Sequence, residues 1–261
     1  LLNSGIKIYD NCGHNILKYI NNGDFIKIKD GKIFKNNKII AKAEKLNLNK
    51  INNLYKKAAK NMDLLLNDFI INTLEYAEKE KSEILNITTP DLSEHIKDRE
   101  VLIVIRGTDY KRDLKALMPY IKKESPLIIA VDGGADTCLQ MGLNPDIIVG
   151  DMDSVSDSAL LSVKTLVLHA YTDGNCPAVD RINSLGLSYH KFSAPGTSED
   201  IAMLLAYENG AKIITAIGTH TNILDFLEKG RKGMGSTILV RLKIGSKLID
   251  ARGINKICGY E

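Results

Sequence analysis

From Val101 onward the chain repeats one pattern: a short, almost wholly apolar run, a cluster of Gly, Asp or Thr, and then apolar residues at helical spacing. The apolar runs at Val101 to Ile105, Leu127 to Val131, Ile147 to Val149, Thr165 to Leu168, Tyr189 to Phe192 and Lys212 to Ile217 read as strands. Helical spacing follows at Asp113 to Lys122, in a segment ending at Gly142, and at Val179 to Leu185 and Ile201 to Glu208. Further helices are predicted around Ile223 to Leu227 and Ser236 to Leu242, and Lys247 to Asp250 reads as an edge strand. Strand and helix alternating through short connections predict an α/β fold with a doubly wound, mainly parallel sheet.

The first hundred residues have a different texture. Phe25 to Lys29 and Lys38 to Ala41 alternate apolar residues with lysine, and Asp30-Gly31 and Asn36-Asn37 are hairpin signals. A small antiparallel β unit with a lysine-rich solvent face is expected over residues 1–48. From Asn49 to Leu85 the period becomes helical. Leu54, Ala58, Met62, Leu65, Leu66, Phe69, Ile70, Leu74 and Tyr76 form a stripe expected to pack as core, with a homodimer seam as the other use for it. Residues 49–96 are therefore a helical connector, and 97–261 the sheet domain.

Chemistry concentrates where two strands stop. Leu127 to Val131 ends in Asp132-Gly133-Gly134-Ala135-Asp136, and Ile147 to Val149 ends in Gly150-Asp151-Met152-Asp153-Ser154. In an open α/β sheet, ligands bind beyond the carboxyl ends of the strands, so both clusters share one crest. Carboxylates gathered this way repel unless a cation lies between them. Hard oxygen donors suit Mg²⁺, which shares its shell with waters and substrate phosphates. Each cluster alone is equally a tight turn or a helix cap at Asp153 or Ser154; both on one edge favour metal-assisted handling of ATP or another nucleotide.

Other crest residues extend the site. Gly107, Gly196 and Gly218 each precede a threonine after a predicted strand. Thr197-Ser198-Glu199-Asp200 opens a helix, where it can serve as a cap, an anion site, or a source of metal or ribose ligands through Glu199 and Asp200. Arg106, Lys111, Arg112, Lys229, Arg231 and Lys232 offer positive charge for phosphate, the last three in a Gly-rich loop. His220, between Thr219 and Thr221, is a candidate acid or base, or a structural hydrogen-bond partner.

Composition narrows the alternatives. The net charge of +3 arises from 35 basic and 32 acidic residues, a balance that gives no electrostatic case for nucleic acid. Four scattered cysteines without CxxC spacing argue against a disulfide framework or zinc and fit a reducing cytoplasm. No apolar run approaches the length of a bilayer span. Walker A, G-x-G-x-x-G and nucleophile-elbow patterns are all missing, which argues against a P-loop NTPase, a Rossmann dehydrogenase and an α/β-hydrolase.

Residues 131–154, with VDGGAD and PDIIVGDMDS, resemble the catalytic domain of thiamine pyrophosphokinases, and the resemblance runs over roughly residues 100–217. It implies diphosphate transfer from ATP with Mg²⁺, with Asp132, Asp151, Asp153 and, in a later D-x-T-D element, Asp200 as metal and catalytic residues. The chain departs from that family where Thr197 replaces the first aspartate of the later element and Gly218-Thr219-His220 replaces a glycine-arginine segment. A β-sandwich is also missing after Asp250. These departures count against thiamine as the acceptor.

VIRGTDYKRDL, GTSEDIAMLLA and GTHTNILDFLEKGRKGMGSTILVRLKIGSKLIDARG resemble, nearly end to end, bacterial cytokinetic-ring proteins that carry this domain. That group has membrane-spanning segments beyond the point where this chain stops. The resemblance implies a domain at the cytoplasmic face of the membrane with a cell-division protein partner. Three functions follow as expectations: a Mg²⁺-dependent nucleotide-binding domain of a division protein, an active thiamine pyrophosphokinase, or a non-enzymatic interaction module with a vestigial site.

Overall fold

The central strands of the principal sheet are short, mostly apolar on both faces and covered on both sides, which is the condition for a parallel sheet, whereas the edge strands at His190–Ser193 and Leu248–Asp250 are largely exposed. The computed structural model describes residues 6–13, 16–60, 62–228 and 230–258. The chain divides into two compact units, residues 1–66 and 67–261.

In the first unit, β1 (Tyr9–Asp10) is followed by β2 (Ile26–Lys29), β3 (Lys32–Lys35), β4 (Lys38–Lys42) and β5 (Glu44–Lys45), and then by α1 (Leu48–Lys60). Strands β2, β3 and β4 form an antiparallel meander, and β1 pairs with β5. Both meander turns have two residues at positive φ, Asp30 and Gly31 at 51° and 69°, Asn36 and Asn37 at 49° and 61°. These are the residue types that tolerate left-handed backbone, so the expected hairpins form.

Helix α2 (Met62–Leu85) contains the boundary between the units and leads to α3 (Ser93–Ile96). The sheet unit continues as β6 (Glu100–Val104), α4 (Tyr110–Ala116), α5 (Met118–Glu124), β7 (Leu127–Val131), α6 (Gly134–Gln140) and β8 (Ile147–Gly150). Then come α7 (Asp157–Ser162), β9 (Thr165–Ala170), α8 (Ala178–Ser184), β10 (His190–Ser193) and α9 (Ser198–Glu208). The described chain closes with β11 (Ile213–Ile217), α10 (Ile223–Glu228), α11 (Gly235–Ile244) and β12 (Leu248–Asp250).

The seven strands lie in the order β10-β9-β8-β7-β6-β11-β12 and all pair in parallel. Val101, Ile103, Leu127, Ile129, Ile147 and Val149 pack with α9 and α11 residues in one buried cluster. Leu102, Val104, Ile128, Ala130 and Ile148 pack with Leu114, Cys138, Leu160 and Ile182 in the other. This period of two sends alternate side chains into two cores, each fully buried aliphatic contributing about 1.5–3 kcal/mol.

Strands β7 to β10 are laid down successively on one side of β6, and β11 and β12 on the other. The direction of winding therefore reverses at β6, and the crevice beyond its end is the topological switch point.

Three expectations differ from the structure. The helix expected from Asp113 to Lys122 is two, α4 and α5, because Pro119 in the first turn of α5 cannot donate its backbone N–H. In the connector, Phe69 is buried, but Ile70, Leu74 and Tyr76 are exposed. Helix α2 instead buries Phe69, Thr73 and Ile84, with Phe69 against Phe226 at 6.1 Å between ring centroids. The cap after the second acidic cluster is neither Asp153 nor Ser154. Ser156 caps α7, accepting from the Ala159 N–H at 3.2 Å. Among the described residues no helix is long and apolar enough to cross a membrane.

Candidate functional site

The crest is shaped by backbone that only some residues can adopt. Asp132, just past β7, has φ of 46°, and Gly150, at the end of β8, has φ of 149°. The Asp132 Oδ1 accepts the Met152 N–H at 3.2 Å, tying the two acidic clusters together. Gly133 donates its N–H to the Ser154 hydroxyl at 3.2 Å. A Cβ at Gly133 would lie 2.6 Å from Nη1 of Arg106, so the glycine makes room for the guanidinium.

Arg106, Asp132, Asp151, Asp153, Ser154, Thr197, Ser198, Glu199, His220 and Arg231 line one cavity of about 360 Å³. Burial and then the neighbouring charge of Asp151 raise the Asp132 carboxyl from its ordinary 3.8 to about 6. The Asp151 Oδ1 accepts the Asp153 N–H at 3.1 Å, and both side chains belong to exposed residues facing the cavity. Among the described residues no group of three His, Cys, Asp or Glu is placed to hold a metal ion by itself. A two-carboxylate site fits Mg²⁺ that takes its remaining ligands from water and phosphate.

Glu199 and His220 form a pair at the edge of this cavity. The buried Glu199 carboxylate accepts from the His220 backbone N–H at 3.3 Å and lies 2.7 Å from Nδ1 through its other oxygen. An ionised carboxylate there makes Nδ1 the protonated nitrogen.

Other crest residues have structural work. Asp200 is 1% exposed, and its Oδ2 accepts from the Thr197 N–H and hydroxyl, both at 2.9 Å, and from the Thr237 hydroxyl at 2.9 Å. Thr197 in turn accepts the Asp200 N–H, completing a capping box. Burial, and then Glu199, raise the Asp200 carboxyl. Thr219 is buried and donates to Asp250 at 2.8 Å. Gly107 and Gly218 allow the ends of β6 and β11 to touch, since a Cβ at Gly107 would lie 2.1 Å from the Gly218 carbonyl oxygen. Gly134 packs equally closely on the Val104 carbonyl, 2.5 Å from where its Cβ would be. Asp136 accepts from the Ser156 hydroxyl and, at 3.1 Å, from the Ser156 N–H. Lys229 lies outside the described residues.

Several contributors carry no motif. Arg181, on α8, donates to the Met152 and Val155 carbonyls at 2.6 and 2.7 Å and pairs with Asp157, fastening the second acidic loop. His169, Tyr171, Pro177 and Ala194 line an adjoining cavity of about 430 Å³ that shares Asp151, Asp153, Ser198 and Arg231 with the first. Burial lowers the His169 pKa, and its Nε2 lies 3.1 Å from the Ala194 carbonyl oxygen. Glu80 of α2 also lines this second cavity.

The acidic clusters fall inside a match to a known family. Residues 118–174 match the family model of the thiamin pyrophosphokinase catalytic domain. Over those residues the sheet unit is similar to the catalytic domain of thiamin pyrophosphokinases. Similar solved structures include thiamine pyrophosphokinase from Bacillus subtilis, 24% identical with a TM-score of 0.34, over 58% of this chain and 61% of that one. Thiamin pyrophosphokinase from Geobacillus thermodenitrificans is 21% identical with a TM-score of 0.34, over 58% and 59%. A protein from Lactobacillus plantarum is 18% identical with a TM-score of 0.30, over 51% and 53%. The chain thus spans about three fifths of the length of the first of these structures. No curated protein matches it. The matched segment includes Asp132, Asp136, Asp151 and Asp153 but ends before Thr197 and His220.

Proposed function

We propose that the sheet unit binds a Mg²⁺-nucleotide, ATP first, and serves phosphoryl or diphosphoryl transfer. The observation that carries this reading is the convergence of Asp132, Asp151 and Asp153 with Arg106 and Arg231 on one cavity. The Asp151 charge raises the cost of ionising Asp132, and these carboxylates would hold a divalent cation whose charge would offset that cost. Bound there, Mg²⁺ supplies neutralisation of phosphate charge, the largest requirement of such a transfer.

The protein's own groups do the rest. Arg106, held over Gly133, and Arg231 give the phosphates cationic partners, and Ser154 and Ser198 give them hydroxyl donors. The Glu199–His220 pair places an imidazole of fixed tautomer at the same cavity, suited to accept a proton from an acceptor hydroxyl. Asp200 acts through the Thr197 cap as a positioning residue.

The family match supports a second reading, an active thiamine pyrophosphokinase. Gly218-Thr219-His220 and Thr197, which depart from the family pattern, weigh toward a different acceptor. The finer setting, a membrane-tethered protein associated with cell division and acting through a division partner, rests on sequence resemblance over residues 104–253 and over the preceding residues 1–85. Calorimetric titration of ATP with Mg²⁺ tests the central claim. The native protein is expected to bind, and Asp153→Asn to weaken binding about tenfold or more. A folded native protein that binds neither nucleotide nor Mg²⁺ sinks the reading.

A further inference from the structure

Behind the acidic crest lies a third cavity, of about 380 Å³, whose wall is helix α2. The Gly-rich loop at residues 230–235 lies directly on that helix. A Cβ at Gly233 would be 2.9 Å from the Thr73 backbone N, and one at Gly235 would be 2.5 Å from the Ala77 N. The Met234 N–H donates to the Thr73 hydroxyl at 3.1 Å, locking the register. Such packing needs glycine at both positions and leaves the next turn of α2, with Tyr76 and Glu80, facing Arg231, Lys232 and Ser236 across the cavity.

Among the described residues no ion pair closes across this cavity. Glu80 Oε2 is buried with no hydrogen-bond partner among the described residues. Among the described residues Arg231 makes one long bond, from Nη2 to the Gly196 carbonyl at 3.4 Å, and neither it nor Lys232 makes an ion pair. Burial, then the charges of Asp200 and Glu83, raise the Glu80 carboxyl, and Arg231 opposes that rise without closing into a pair. A structural role would be served by closing it. A buried carboxylate oxygen left without a partner is costly and calls for a function.

We infer that this cavity is a ligand site for a small zwitterion, with an amine donating to Glu80 and a phosphate or carboxylate held by Arg231 and Lys232. Tyr76 offers an aromatic wall to the carbon skeleton between them. The cavity joins the crest through Arg231 and Glu80, which also line the cavity containing Asp151 and Asp153. A zwitterion bound there lies beside the proposed nucleotide. That adjacency rests on the nucleotide reading; the binding itself does not.

The test titrates O-phosphoethanolamine, ethyl phosphate and ethanolamine separately into the full chain, with Mg²⁺-ATP titrated in parallel. O-phosphoethanolamine is expected to bind in the millimolar range proper to so small a molecule, and the two single-charge compounds about tenfold more weakly or not at all. Glu80→Gln should lose most of the O-phosphoethanolamine affinity and Lys232→Gln part of it. No binding of O-phosphoethanolamine by native protein, ethyl phosphate binding equally well, or an unaffected Glu80→Gln protein with native circular dichroism each overturns the inference. Failure of Mg²⁺-ATP to bind while O-phosphoethanolamine does would overturn the nucleotide reading alone.

Discussion

Gly150 leaves the space that Asp132 occupies: a Cβ at position 150 would lie 1.7 Å from Oδ1 of Asp132 and 2.3 Å from its Cγ. The end of one strand is thus hollowed to receive the carboxylate from the end of its neighbour. Gly150→Ala has to displace Asp132 and also hold an alanine at φ of 149°. A loss of about 3 kcal/mol or more in denaturant unfolding is expected, together with loss of Mg²⁺-ATP affinity. A variant with native stability and affinity would mean that Asp132 is free to move and is not fixed as a ligand.

Asp132 also sets a pH dependence. Its carboxyl is raised in the folded protein from 3.8 to about 6, so folding there favours the protonated form. The cost is absent below about pH 4, grows as pH rises, and is complete above about pH 6, where it amounts to roughly 2–3 kcal/mol. Asp132→Asn should therefore stabilise the metal-free protein more at pH 7.5 than at pH 4.5. Mg²⁺ should raise the Tm of native protein at pH 7.5 but not that of the variant. Thermal melts at the two pH values check both, and a pH-independent difference would show that Asp132 carries no such cost.

Much of the sheet unit was legible because strands buried on both faces have nothing but apolar side chains between turn residues. Val101 to Ile105 and Leu127 to Val131 are examples, and their closing glycines and aspartates point to the crest. Three kinds of information were hidden. Pro119 lies inside an otherwise helical period, so the break between α4 and α5 depends on one missing N–H. The Phe69–Thr73–Ile84 face of α2 is less apolar than the exposed face with Ile70 and Leu74, and only glycines 160 residues away reveal which side is covered. Glu80, His169 and Arg181 have no local signature, since their roles arise from what the fold brings opposite them. Asp200 illustrates the converse: its motif is real, but the same residues spell a helix cap.

The Glu199–His220 contact yields a third expectation. Glu199→Ala would remove the acceptor used by both the His220 N–H and Nδ1, costing about 1–3 kcal/mol. Glu199→Gln keeps a side-chain oxygen for the backbone N–H and should recover part of that stability. If His220 serves as a base, both variants lose turnover beyond their loss of stability, and the Gln variant shows it without unfolding. Urea unfolding alongside a nucleotide-turnover assay separates the effects; equal turnover in native and Gln proteins would leave the pair a structural one.

Asp151 and Asp200 should respond differently to the same chemical change. Asp151 belongs to an exposed residue facing the cavity, whereas Asp200 is fully buried beneath Thr197 and Thr237. Replacing Asp151 by Asn removes half of the charge that confronts a cation shared with Asp132. The expected result is a loss of about tenfold or more in Mg²⁺-ATP affinity, with stability unchanged or slightly raised because the repulsion of Asp132 is gone. Asp200→Asn keeps one acceptor oxygen but brings an amide into a nest of donors, the Thr197 N–H and the Thr197 and Thr237 hydroxyls, so it should cost about 1–3 kcal/mol in unfolding free energy. Its nucleotide affinity should stay within about threefold of native once the folded fraction is counted. Calorimetry and urea unfolding on the two proteins give the answer in one pair of measurements. Should Asp200→Asn abolish Mg²⁺-ATP binding while remaining as stable as native, the carboxylate under the cap would be a metal ligand after all, exposed by a movement of the α9 N-terminus.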